Sequence, residues 1–159
     1  MAPDLSAPDP TWTPLTPFWE SLGTRSFVSS EDDDRIHVRY YADAGGATHA
    51  RAWFGPGAEG PPGHAHGGAL AALLDEAMGM AGLATGRVVV AARIEVDFRS
   101  MVPLGEVVDV VLEVVDTAGA KVSVRAELKR GATVACQATG LFVDIGAEGM
   151  GRAAEAVGL

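Results

Sequence analysis

Gly63-His64-Ala65-His66-Gly67-Gly68-Ala69-Leu70-Ala71-Ala72-Leu73-Leu74-Asp75-Glu76-Ala77-Met78-Gly79 is where the chain changes its period. Over residues 69–83, Leu70, Leu73, Leu74, Ala77, Met80 and Ala81 recur at helical spacing, and Ala fills most of the positions between them. A helix that is apolar nearly all round has to be surrounded by protein. On either side the period drops to two. Ile36, Val38 and Tyr40 alternate with Arg35, His37 and Arg39 over residues 35–42, and residues 48–54 read the same way. A Gly/Pro loop at 55–63 separates that second strand from the helix.

Beyond Gly86, Ile94, Val96 and Phe98 oppose Arg93, Glu95, Asp97 and Arg99. Three further strands follow at 106–115, 121–128 and 133–143, with turns at Pro103-Leu104-Gly105, Thr117-Ala118-Gly119 and Lys129-Arg130-Gly131. Tight turns between consecutive strands require antiparallel pairing. The pattern predicts an α+β fold, one antiparallel sheet wrapped around one long central helix. Residues 17–145 make this domain, with a short helical turn at 17–22. Phe27 and Val28 open a first strand before the acidic turn Glu31-Asp32-Asp33-Asp34, read as a solvated hairpin tip. Residues 1–16 read as a loose Pro-punctuated arm and residues 146–159 as a mobile small-residue tail.

A length of 159 residues suits one domain with a real core. The net charge of −9 argues against nucleic acid and anionic membrane as main partners, because both reward a basic surface. A phosphorylated small molecule remains open, since it needs only local Arg and Lys. Cys136 is alone, so no intrachain disulfide forms, and its alternation with Val134 and Ala138 places it in the core. The N-terminus is acidic and Pro-rich, unlike a signal peptide, and the weakly charged run 65–85 carries two acids at its centre, unlike a membrane span. A reducing cytoplasm is the expected compartment.

The chemistry centres on the helix and its start. Two consecutive Gly at a helix N-terminus leave backbone N–H groups unpaired and open, at the positive end of the helix dipole, where they can receive a developing oxyanion. Asp75 and Glu76 lie mid-helix among Ala, Leu, Met and Gly, with no Lys or Arg three or four residues away. A carboxylate there is unfavourable unless paired or functional. His66 either fixes the loop through the backbone or touches substrate; His64 reads as a loop residue. A metal site from His64, His66 and an acid would need three or four converging ligands, which a flexible Gly-rich loop does not enforce, so no metal or cofactor is expected. Trp12, Phe18, Trp19 and Trp53 read as packing groups.

The triplet His66-Gly67-Gly68, the acid eight residues after Gly67, and the run IEVDFRSMVPLGE at 94–106 together resemble hotdog-fold acyl-CoA thioesterases of the phenylacetyl-CoA (PaaI-like) type. The likeness covers roughly residues 35–145. It implies a hotdog fold and hydrolysis of an acyl-CoA thioester, or a related acyl carrier thioester. The Gly67 N–H would polarise the carbonyl, and Asp75 would serve as general base or attacking carboxylate, with Glu76 its rival. Many members carry Thr or Ser one turn after the acid to hold the water; Gly79 stands there here. CoA would bring several negative charges. Arg99 and Lys121 are the first candidates to meet them, beside Gly68 at the helix start, with Arg125, Lys129 and Arg130 behind. The resemblance also implies a homodimer, extended to a dimer of dimers. Two other readings stay open: a hotdog hydratase or dehydratase, and a non-catalytic acyl-CoA-binding module.

Helix geometry adds one expectation. Eight residues at about 1.5 Å rise separate Gly67 from Asp75 by roughly 12 Å, too far for one short side chain to bridge. Two such helices antiparallel about a two-fold axis would bring Gly67 of one chain to Asp75 of the other.

Overall fold

The computed structural model describes residues 3–29 and 34–158. In chain order the elements are β1 (Thr13–Leu15), α1 (Phe18–Ser21), β2 (Ile36–Ala42), β3 (Thr48–Phe54), α2 (Gly67–Leu83), β4 (Val89–Phe98), β5 (Val107–Ala118), β6 (Lys121–Arg130), β7 (Thr133–Asp144) and α3 (Gly146–Glu155). A single turn of 3₁₀ helix at Pro56–Ala58 interrupts the Gly/Pro loop. All strands belong to one seven-stranded sheet in the order β1-β2-β3-β5-β6-β7-β4. Every neighbour pair is antiparallel. The sheet wraps α2 as the period change predicts.

The wrapping works because the inner face of the sheet is built from small residues opposite the helix. Ala50, Ala52, Ala126 and Ala138 are buried there, and Leu70, Leu73, Leu74, Ala77 and Met78 fill the space above them. Gly140 marks the closest approach: a Cβ there would come within 2.5 Å of Phe142 Cε2 and 3.1 Å of Met78 Sδ. The turns at Gly119 and Gly131 have φ of +59° and +56°, the left-handed region that glycine enters without a steric penalty. They close the β5–β6 and β6–β7 hairpins where the sequence places them.

One expectation is corrected, one falls largely outside the described residues, and both ends of the chain carry regular structure that the sequence reading did not expect. Phe27 and Val28 form no strand; Val28 is buried, Phe27 is 80% exposed, and the segment is held by side-chain hydrogen bonds. The acidic turn lies, apart from Asp34, outside the described residues. The N-terminal stretch read as a loose arm is laid against the sheet. β1 pairs with β2, Trp12 stacks on His49 at 4.1 Å, and the Tyr41 hydroxyl donates to the Leu5 carbonyl at 2.5 Å. The tail read as mobile forms α3, despite three glycines, with an Arg152–Glu148 pair one turn apart at 3.2 Å.

β4 stands at one edge of the sheet, paired only with β7. Its Ile94 and Phe98 register opposite Gly140 and Cys136, on the face that holds the helix, yet they remain 37% and 54% exposed. They form an open apolar patch on the inner side of this sheet edge. Among the described residues no helix is long and apolar enough to cross a membrane.

Candidate active site

The start of α2 is fixed from three sides. The His66 N–H donates to the Ala58 carbonyl at 2.7 Å and the Ala65 N–H to the Val102 carbonyl at 2.8 Å, so the chain enters the helix between two loops. Gly60 crosses directly over His66: a Cβ on it would lie 2.7 Å from His66 Cα. His66 itself caps the helix, its Nδ1 accepting from the Gly68 N–H at 2.8 Å. An accepting Nδ1 leaves the ring proton on Nε2. His66 therefore acts on the backbone, and the helix begins two residues earlier than its apolar period indicates.

This cap divides the two glycines. The Gly68 N–H, expected to meet substrate, is already taken by His66. The Gly67 N–H has no acceptor among the described residues, and Gly67 borders an open cleft of about 290 Å³ with Phe98, Arg99 and Ser100. Arg99 is thus brought to the helix start, its guanidinium donating to Gln137 Oε1. Lys121 is not. It pairs with Val143, whereas Leu128 pairs with Cys136 and so with Phe98. Seven residues of strand, about 23 Å, separate the two ends of β6. The remaining cations are occupied: Arg125 faces Glu113 at 3.3 Å, Lys129 faces Glu127 at 3.4 Å, and Arg130 grips Glu106 at 2.7 and 3.0 Å. His64 belongs to its turn, with Nδ1 2.8 Å from the Pro62 carbonyl.

The adjacent acids prove unlike. Glu76 accepts from the Tyr40 hydroxyl and from Ser26 Oγ, both at 2.7 Å. The absence of a nearby Lys or Arg in sequence was no guide here, because the partners are hydroxyls 36 and 50 residues away. Burial raises the Glu76 carboxyl above its ordinary pKa and these two hydrogen bonds pull it back down. Asp75 has no hydrogen-bond partner among the described residues, is half-buried, and is raised by desolvation alone. Tyr40 is pushed well up, first by burial and then by the Glu76 charge.

On the helical wheel Gly68, Ala72, Asp75 and Gly79 form the least covered side of α2, while the opposite side lies in the sheet. A Cβ at Gly79 would make only ordinary contact with Phe142, at 3.7 Å. The missing hydroxyl one turn after Asp75 is therefore no demand of packing.

Comparisons with known proteins agree with this architecture. Residues 62–137 match the Thioesterase superfamily. Over 93 residues the chain is 31% identical to the acyl-coenzyme A thioesterase THEM5 of Mus musculus, spanning 57% of this chain and 38% of that protein. It is 32% identical over 93 residues to the acyl-coenzyme A thioesterase THEM4 of Xenopus laevis, spanning 57% and 42%. The chain thus spans about two fifths of the length of these relatives. A thioesterase superfamily protein known from its crystal structure superposes with a TM-score of 0.64 at 27% identity, covering 68% of this chain and 54% of that one. A Bacillus halodurans protein solved with CoA shares the fold at 23% identity, with a TM-score of 0.56 over 60% of this chain and 65% of that one.

Proposed function

We propose that this chain, which has the hotdog fold and matches the Thioesterase superfamily over residues 62–137, hydrolyses an acyl-CoA thioester at a site shared between two copies. The observation that carries the reading is the open Gly67 N–H beside a cleft, on a helix whose uncovered side bears the unpartnered Asp75.

The carbonyl oxygen of the thioester accepts from the Gly67 N–H, and the positive end of the α2 dipole favours the charge that develops there. Asp75 of the second copy takes a proton from water, and the resulting hydroxide attacks the carbonyl carbon. The tetrahedral intermediate then expels the thiolate, which recovers the proton from Asp75 and leaves as the thiol; the acid is the other product. Direct attack by the Asp75 carboxylate would give an anhydride that water opens, with the same overall balance. Glu76 is the poorer base because both its oxygens already hold hydroxyls. Arg99 is the cation placed to meet the phosphates of CoA.

The second copy is supported by the 12 Å that helix geometry puts between Gly67 and Asp75, and by the uncovered Ile94 and Phe98 on the inner side of β4. A dimer of dimers and a cytoplasmic setting, where a lone buried Cys136 stays reduced, complete the reading.

A thiol-release assay over short, long and aromatic acyl-CoAs tests the chemistry. Tight binding without turnover would leave a binding module, and enoyl-CoA hydration in place of thiol release would leave a hydratase. Sharing is tested by mixing Asp75→Asn with Gly67→Pro, each inactive and each checked for folding, after dissociation. Proline removes the donor. A mixed dimer has one site with both groups intact, so roughly a quarter of normal activity returns if pairing is random. Reassociation without any return of activity rejects the shared site.

A further inference from the structure

Glu76 is left without a part in the hydrolysis, yet it is the most elaborately held side chain on α2. Its Oε2 takes the proton of the Ser26 hydroxyl at 2.7 Å. That leaves the Ser26 oxygen free to accept, and it does so from the Val28 N–H at 3.0 Å and the Ser29 N–H at 2.9 Å. Its Oε1 is held by Tyr40, whose ring meets Trp19 edge-on at 6.1 Å. One carboxylate on the helix therefore fixes a turn that no strand pairing supports.

The turn has a location that gives this purpose. Phe27 and Val28 line a cleft of about 250 Å³ together with Ile36, Ala58, Ala69 and Ala72, and with the charged Arg35 and Glu59. The cleft reaches His66 and Gly68 at the helix start. It shares no lining residue with the cleft bordered by Gly67 and Arg99, so the two flank the first turn of α2 on opposite sides. The first carries Arg35 and Glu59 beside its apolar residues, the second Arg99.

We propose that Glu76 is a positioning residue: through Ser26 it holds Phe27 and Val28 as the wall of a small cleft that takes the acyl group, while the thiol-bearing arm lies on the Arg99 side. The identity of the ligand rests on the thioesterase reading above; the role of Glu76 in shaping the cleft does not. Pockets for drug-sized ligands run from about 300 to 1,000 Å³, so a cleft of about 250 Å³ favours a short or single-ring acyl group over a long fatty chain.

Ser26→Ala removes the hydroxyl that connects Glu76 to the turn and leaves the helix untouched; Ser26→Thr keeps it. With hexanoyl-CoA, Ser26→Ala is expected to raise KM about tenfold with kcat within about twofold, and Ser26→Thr to keep both near wild type. Glu76→Gln, which retains an acceptor for Tyr40 and loses the one for Ser26, should fall between them. Titration with the thioethers S-hexyl-CoA and S-decyl-CoA reads the cleft without turnover: the hexyl compound should bind more tightly to wild type, and Ser26→Ala should abolish the difference. Equal KM values in wild type and Ser26→Ala, or unchanged thioether affinities, overturn the proposal even where hydrolysis is normal. If no thioester is hydrolysed while Ser26→Ala still weakens S-hexyl-CoA binding, the hydrolytic reading fails and the positioning role stands.

Discussion

The two sides of α2 carry one carboxylate each, one residue apart in sequence, and they have opposite relations to the protein. Glu76 faces Tyr40 and the 26–29 turn, where two hydroxyls satisfy it. Asp75 faces the uncovered side, half-buried and without a partner. A buried acid with its hydrogen bonds filled stiffens what surrounds it; one left unfilled is available to a substrate or a second chain. Mid-helix acids in an apolar run are thus not a single signal, and the neighbours supplied by distant segments separate them.

Asp75→Asn should break this contrast most strongly. It is expected to lower kcat by about a hundredfold or more, the contribution of a positioned base, with an unchanged circular dichroism spectrum and an equal or higher Tm. Glu76→Gln should retain turnover within about tenfold. A dead Glu76→Gln beside a fully active Asp75→Asn would exchange the two roles.

The next effect concerns the open side alone. Ile94→Arg places a charge on the uncovered inner face of β4; on the two-copy reading it should give a folded monomer with activity reduced at least about tenfold. Light scattering coupled to gel filtration, run beside the thiol-release assay, checks both parts. A monomer with full activity would return the whole site to one chain.

The smallest effect is in pH. Both acids have pKa values raised above the ordinary carboxylate range. For an acid raised on folding, the native state holds its proton over a window where the unfolded chain has lost it. The stabilisation is present below the unfolded pKa and disappears as pH rises through the folded one. Activity needs Asp75 deprotonated and runs the other way, so the acid limb of kcat/KM should sit above that of an ordinary aspartate. Over this window wild type should lose Tm relative to Asp75→Asn while it gains rate. Parallel changes, or an acid limb at the ordinary position, would show that Asp75 is solvated as any surface acid is.

The fold was readable from periods: residues 48–54 were bounded to the residue, and β2, β5, β6 and β7 differ from the expected limits by at most three positions, while β1 lies in residues read as an arm. The helix start was readable from the two glycines, whereas its cap was not: His is not among the usual capping residues, and only the folded loop turns its Nδ1 onto the Gly68 N–H. Two apolar residues in a row, Phe27 and Val28, were too little to distinguish a strand from a turn anchored by Ser26. α3 was obscured by glycines that lower helix propensity. Of the candidate site, Gly67 and Arg99, picked from motif and from strand position, line one cleft, and Asp75 lies unpartnered on the same helix among the described residues. Lys121 was misplaced, since sequence reveals that a residue begins a strand and conceals which end of the sheet that strand begins at.

The edges of the sheet differ as well, and this bears on how far assembly can run. The far edge is closed by β1, three residues long with Pro14 at its middle, a strand that offers little to a further neighbour. The β4 edge is long and bare. A sheet with a single receptive margin can be extended once, after which the joined object presents only its blunted borders. On the two-copy reading, a pairing through β4 would use that margin on each copy and leave the β1 borders outermost, which is a stop to fibre growth.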